Sequence, residues 1–185
     1  ERSLSIIIFS LFFSWLLAFP FEGQVLFAIA DKYSIDAYSL AFGSIAAHFA
    51  GLFISGFFIK TMGAAKRLIS YSIILCMIGT MLFFLPPSIL WHISLLLISF
   101  LSGTCVAAWG FYFKKYTPSN ERIKTAADVL IYSNMLMIII NMTAILLSPD
   151  LGLALSILML VMALSFNIKL PGDLQTEIGS HTPEM

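Results

Sequence analysis

Six apolar stretches, each close to twenty residues long and divided by short polar breaks, run through this chain from Leu4 to Ile168. A helix of about 20 residues rises about 30 Å, which is the thickness of a bilayer's hydrocarbon core. A water-facing surface would need far more charge than these runs carry. Hydrophobic residues make up 59% of the sequence and charged ones 11%, against about 45–50% and 25% in ordinary soluble domains. Mean hydropathy is +0.96. The sequence therefore predicts an all-α integral membrane protein, with the lipid bilayer as its solvent.

The breaks place six transmembrane spans near 4–29, 37–59, 67–86, 89–113, 125–147 and 151–168, so that residues 1–170 form one six-helix bundle. The loops TMGAAKR, PPS and SPD are tight, whereas KKYTPSNERIK is longer and basic. With the N-terminus in the cytoplasm, Arg2, Lys60, Lys66, Arg67, Lys114, Lys115, Arg122, Lys124 and Lys169 all fall inside and Lys32 alone falls outside. Cytoplasmic loops carry an excess of Lys and Arg, so both termini are expected inside. Residues 171–185 read as a polar cytoplasmic linker. Because the chain starts at Glu1 without a methionine and ends in that linker, it is expected to be part of something longer.

Cys76 and Cys105 lie inside apolar runs, where Cys behaves as a small hydrophobe. No disulfide framework, metal-ligand spacing, nucleotide loop or catalytic triad is present, and the polar stretch after residue 170 is too short to hold an enzyme. No enzymatic activity, cofactor, metal or nucleic-acid contact is expected of this segment. Small residues recur every four positions at Gly43, Ala47, Gly51 and Ser55, and again at Ser99, Gly103 and Ala107. Helices in lipid associate where small residues let backbones approach, so these are packing seams, with a lining role open to the serines.

Ionisable and amide side chains within the spans are functional hypotheses, because placing a charge at the bilayer centre costs about 2.5–3.5 kcal/mol on insertion scales. Glu22 sits in FPFEGQ, past the middle of the first span. Pro20 removes a helix hydrogen bond and Gly23 weakens the turn, so Glu22 and Gln24 either line a cavity beside a kink or mark an early helix end in the headgroups. His48 falls at the middle of the second span, as a proton relay or as a neutral interhelical hydrogen-bond partner; free imidazole titrates at about pH 6.5. Asn134 and Asn141 share a face of the fifth span and either line a solute path or join helices. Asp128 is expected to pair with Lys124 one turn away. Trp91 and His92 are expected at the outer interface, and Trp109 with Tyr112 at the inner one or as a stacking surface.

The loop GFFIKTMGAAKR, Gly56 to Arg67, resembles the signature loop of the major facilitator superfamily, G-x-x-x-D-[RK]-x-G-[RK]-[RK]. Gly56 and Gly63 fall on its glycines, and Lys66 and Arg67 lie close to its trailing basic pair. Lys60 occupies the acidic position, which puts in doubt the latch that this position makes in the family. Phe100, Leu101 and Gly103 match the family's R-F-L-x-G, with Ser99 in place of the arginine, and Pro118 and Arg122 match its P-x-x-x-R turn. The Gly- and Pro-rich fifth-span motif of the family's antiporters is absent. The resemblance implies the first half of a twelve-helix transporter, built from two inverted three-helix repeats. Such a half works with a second six-helix half to move a small solute by alternating access, with proton coupling open to it, in the plasma membrane of a prokaryote. The alternative is a membrane sensor or anchor attached to a cytoplasmic regulatory module.

Overall fold

The computed structural model describes residues 2–21 and 23–170. Their regular structure is helical: α1 (Arg2–Ala18), α2 (Gln24–Lys32), α3 (Ala37–Phe58), α4 (Met62–Met81), α5 (Ile89–Tyr116), α6 (Arg122–Leu146) and α7 (Pro149–Ile168), with 3₁₀ turns at Leu82–Phe84 and Ser119–Glu121. Five helices, α3 to α7, are long and apolar enough to cross a membrane, which makes the chain a helical multi-pass membrane protein. Their starts follow local chemistry. Asp36, Thr61 and Ser88 accept hydrogen bonds from Tyr38, Ala64 and Leu90 N–H groups at the first turns of α3, α4 and α5, and Pro149 opens α7 where its missing N–H costs nothing.

The first apolar run, read above as one span over 4–29, is two helices. Pro20 has no N–H to give the Leu16 carbonyl, and the Phe21 N–H takes that carbonyl instead at 3.0 Å. The end of α1 and the start of α2 approach so closely that a Cβ on Gly23 would lie 1.8 Å from the Ala18 carbonyl oxygen. Only glycine admits that approach. Glu22, between these residues, lies outside the described residues, as does the proposed linker 171–185.

Both ends of the broken pair are fixed. Arg2 bonds Glu121 at 2.6 Å and Thr125 at 2.8 Å, at the start of α6. Lys32 bonds Asp150 at 2.7 Å, just beyond the end of α6. Thus α1 and α2 together run the length of α6 and parallel to it. The Lys32 ammonium, exposed but held by the Asp150 carboxylate, has its pKa raised above the ordinary lysine value.

Two helices are central. α1, continued by α2, packs on α6 and α7; α5 packs on α3 and α4; α4 against α7, with lesser α1–α5 contact, joins the two groups. The α3–α5 seam is backbone against backbone. A Cβ on Gly51 would lie 2.0 Å from the Phe100 carbonyl oxygen, and one on Gly103 would lie 2.1 Å from that of His48. Phe9, Phe12, Trp15 and Phe19 of the first run are fully buried, and Trp15 Nε1 donates to Thr80 Oγ1 at 3.1 Å.

Three aromatic residues pack against neighbouring helices. Trp91 is 1% exposed, packed 4.8 Å from the Phe83 ring and 5.6 Å from the Tyr33 ring, because the 3₁₀ turn and the end of α2 cover it. Tyr112 is fully buried and donates to the Met62 carbonyl at 3.4 Å. Trp109 fills the α1–α5 contact, 4.9 Å from the Phe9 ring, and donates to Ser5 Oγ at 3.2 Å. His92 is exposed.

Candidate functional site

The break in the first run and His48 meet. The Phe21 ring lies 5.3 Å from the His48 imidazole, edge to face, with Phe49 at 6.0 Å. His48 is 7% exposed, and its Nδ1 is 2.7 Å from Ser102 Oγ on α5. Ser102 has one hydroxyl proton, and it lies 2.7 Å from the Ser99 carbonyl. If the Ser102 proton goes to the Ser99 carbonyl, the serine lone pair faces Nδ1, which then carries the neutral ring's proton; if it goes to Nδ1, Nε2 carries the ring proton. Ser99 Oγ is buried without a hydrogen-bond partner, a costly condition away from water.

Asn141 stands at the same level on the other side of α1. Ser10 Oγ meets the Val129 carbonyl at 3.5 Å. Counting on from there at about 1.5 Å per residue, the break at Pro20 and Asn141 fall within about one turn of each other. Asn141 is half-buried, and its Oδ1 is buried with no partner. Asn134 is not part of this level. It lies two turns nearer the start of α6, exposed, with Nδ2 turned back onto the Leu130 carbonyl at 2.7 Å. Gln24 is exposed on the first turn of α2, just past the break. The structure thus brings His48 to the break and aligns Asn141 with it, while Asn134 sits apart. Ser102 was not singled out in the sequence; its signal was its place three residues after Ser99 on the small-residue face opposite His48.

The cationic loops gather at one end of the bundle. Gly56 is exposed in the last turn of α3, with open space where a Cβ would stand. Lys60 and Arg67 are exposed, and Gly63 lies in the first turn of α4. Lys66 crosses to α7 and donates to the carbonyls of Ile168, at 3.2 Å, and Leu170. It thereby satisfies acceptors at a helix C-terminus, where a positive charge is favoured. Arg122 braces the α5–α6 turn by donating to the Thr117 and Lys114 carbonyls at 3.2 and 3.1 Å. Asp128 faces Arg2 at 3.9 Å rather than Lys124, because the Arg2 guanidinium lies between α6 residues one turn apart and serves Glu121, Thr125 and Asp128 together.

No protein-family model, curated protein or solved structure matches this chain.

Proposed function

We propose that this chain is one half of a secondary transporter of the major facilitator type, moving a small solute by rocking against a second six-helix half. The observation that carries the reading is the packing order. α1 with α2 lies beside α6, which runs parallel to it, and beside α7, which runs against it; α5 lies in the same way beside α3 and α4. Exchanging α1/α2 with α5, α3 with α6, and α4 with α7 maps the α5–α3 and α5–α4 contacts onto the α1–α6 and α1–α7 contacts and α4–α7 onto itself, whereas the α6–α7 contact has no comparable counterpart between α3 and α4. The shared contacts are those that inverted three-helix repeats would produce.

On this reading α1 and α2 count as one discontinuous span, the sixth. The basic end faces the cytoplasm of a prokaryotic cell, and both termini lie there. The solute site is the level of the break beside His48, with an unpaired oxygen at Ser99 awaiting a donor; Asn141, at the same level across α1, offers a second unpaired oxygen on a separate face. Broken helices at mid-membrane expose backbone groups to a cavity, where they can meet a polar solute. His48 is the proton carrier if transport is proton-coupled. Lys60 at the acidic position of the signature loop favours the rival, a sensor that need not cycle.

The test is uptake by the full-length gene product in liposomes loaded with a pH-sensitive dye, offered pools of small solutes. A solute-dependent proton flux is expected, and His48→Gln should abolish it while leaving downhill solute exchange. A chain that continues into a soluble regulatory module, with no solute moving under any gradient, would replace the transporter by the sensor.

A further inference from the structure

The nine cations at the basic end meet two carboxylates there among the described residues, Glu121 and Asp128, leaving a formal charge of +7 (9 − 2). Both carboxylates are held by Arg2. Lys66 and Arg122 are also occupied, donating to backbone carbonyls. Lys60, Arg67, Lys114 and Lys115 are different, as is Lys124 in the first turn of α6. All five are exposed, and none makes an ion pair among the described residues.

One contact brings the two backbone segments that carry the first four of these residues to the same end of the bundle. The Tyr112 hydroxyl donates to the Met62 carbonyl, which pins the start of α4 to the last turns of α5. Lys60 and Arg67 flank the contact on one side and Lys114 and Lys115 on the other. Directly beside this charge stand two apolar rings, Phe57 and Phe58, 65% and 75% exposed at the end of α3. A ligand for such a surface carries an anion over the cations and hydrocarbon beside the rings. We propose that Lys60, Arg67, Lys114 and Lys115 form a docking surface for anionic phospholipids of the surrounding leaflet, with the headgroup phosphate on the cations and the acyl chains along Phe57 and Phe58. A soluble anion would use only the first half of this arrangement. The proposal holds whether the bundle transports or senses.

The full chain in neutral detergent is titrated with short-chain phosphatidylglycerol and, separately, with phosphatidylcholine, and bound lipid is counted by native mass spectrometry. Each cation near an anionic surface contributes about 1 kcal/mol, or about fivefold, so phosphatidylglycerol should bind at least tenfold more tightly than phosphatidylcholine. Added salt should erode the difference. Changing all four residues to Gln should abolish it; Lys114→Gln with Lys115→Gln, a milder pair, should reduce it at least fivefold and decides the matter if the fourfold variant does not insert. Lys32→Gln, at the opposite end, should leave it intact. Equal binding of the two lipids, a preference that survives the substitutions, or equally tight binding of glycerol 3-phosphate without acyl chains would overturn the proposal.

Discussion

Gly103→Ala adds one methyl group where α3 and α5 have no room for it. The new Cβ would lie 2.1 Å from the His48 carbonyl oxygen and 2.7 Å from the Leu52 nitrogen, against an ordinary contact limit of 3.4 Å. Both obstacles are backbone, so no side chain can swing aside. The helices must part by about 1.3 Å, the difference between 3.4 and 2.1 Å. Overpacking of this kind costs about 1–3 kcal/mol. The same displacement stretches the 2.7 Å bond between His48 and Ser102 beyond hydrogen-bonding range, a further loss of about 0.5–1.5 kcal/mol. Against these, Ala stabilises a helix over Gly by about 0.8–1.0 kcal/mol. The balance is a net destabilisation of about 2 kcal/mol. Gly56→Ala is the control, since nothing lies within 4 Å of its added Cβ, and it should be neutral or slightly stabilising. Reversible unfolding in mixed micelles, followed by tryptophan fluorescence, gives both values. A Gly103→Ala protein as stable as the parent would refute the α3–α5 contact and the placement of His48 that depends on it.

Ser34 closes α2 with φ 54°, in the left-handed region, where a Cβ costs about 1–2 kcal/mol; Ser34→Gly should raise the unfolding midpoint in the same assay, and a lowered midpoint would refute the turn. Lys66→Met removes the donors that satisfy the Ile168 and Leu170 carbonyls and should cost about 1 kcal/mol, with Lys66→Arg recovering part of it; an unchanged midpoint in Lys66→Met would dissociate the signature loop from α7. Asp150 raises the Lys32 pKa in the folded state, so the pair's contribution is fully present below the unfolded lysine pKa of about 10.4 and is lost as pH rises through the higher folded value. The difference between the parent and Asp150→Asn should therefore be constant from pH 6 to about 9 and shrink above about 10.5; a difference that changes near neutrality would assign it to another group. Single cysteines in the Lys60 to Arg67 and Lys114 to Lys124 loops should react with an impermeant thiol reagent from one side of the membrane, and one between Asp31 and Asp36 from the other. Reaction of the two basic loops from opposite sides would break the packing order.

How much of this was legible in the sequence depends on whether a residue's partner is near it along the chain. Most helix ends were readable to within a few residues, as at Ser88, whose side chain caps an N–H two positions away; α4 was not, because Thr61 caps a helix that starts at Met62 and takes most of the TMGAAKR loop into it. The α3–α5 seam was readable too, since a stripe of small residues on a lipid-embedded helix has few uses other than close approach. Long-range choices were not. Asp128 had Lys124 within one turn and faces Arg2 instead, a choice set by how α1 lies on α6. Trp91 carried the composition of an interfacial residue, yet its burial comes from α2 and the 3₁₀ turn folding over it.

FPFEGQ lies between these cases. Its proline and glycine announced an interruption, but a kinked single span and two separate helices demand different things of the glycine. A kink at Pro20 needs only a weak turn at position 23, which Ala or Ser would also supply. The close approach of the two helices needs the absence of a Cβ, because the Ala18 carbonyl occupies that place. The sequence holds a glycine in either case and so cannot separate the two, whereas the backbone can. That close approach also places Phe21 against His48. The mid-membrane histidine, prominent in the sequence only as an isolated imidazole, thereby becomes a neighbour of the helix break.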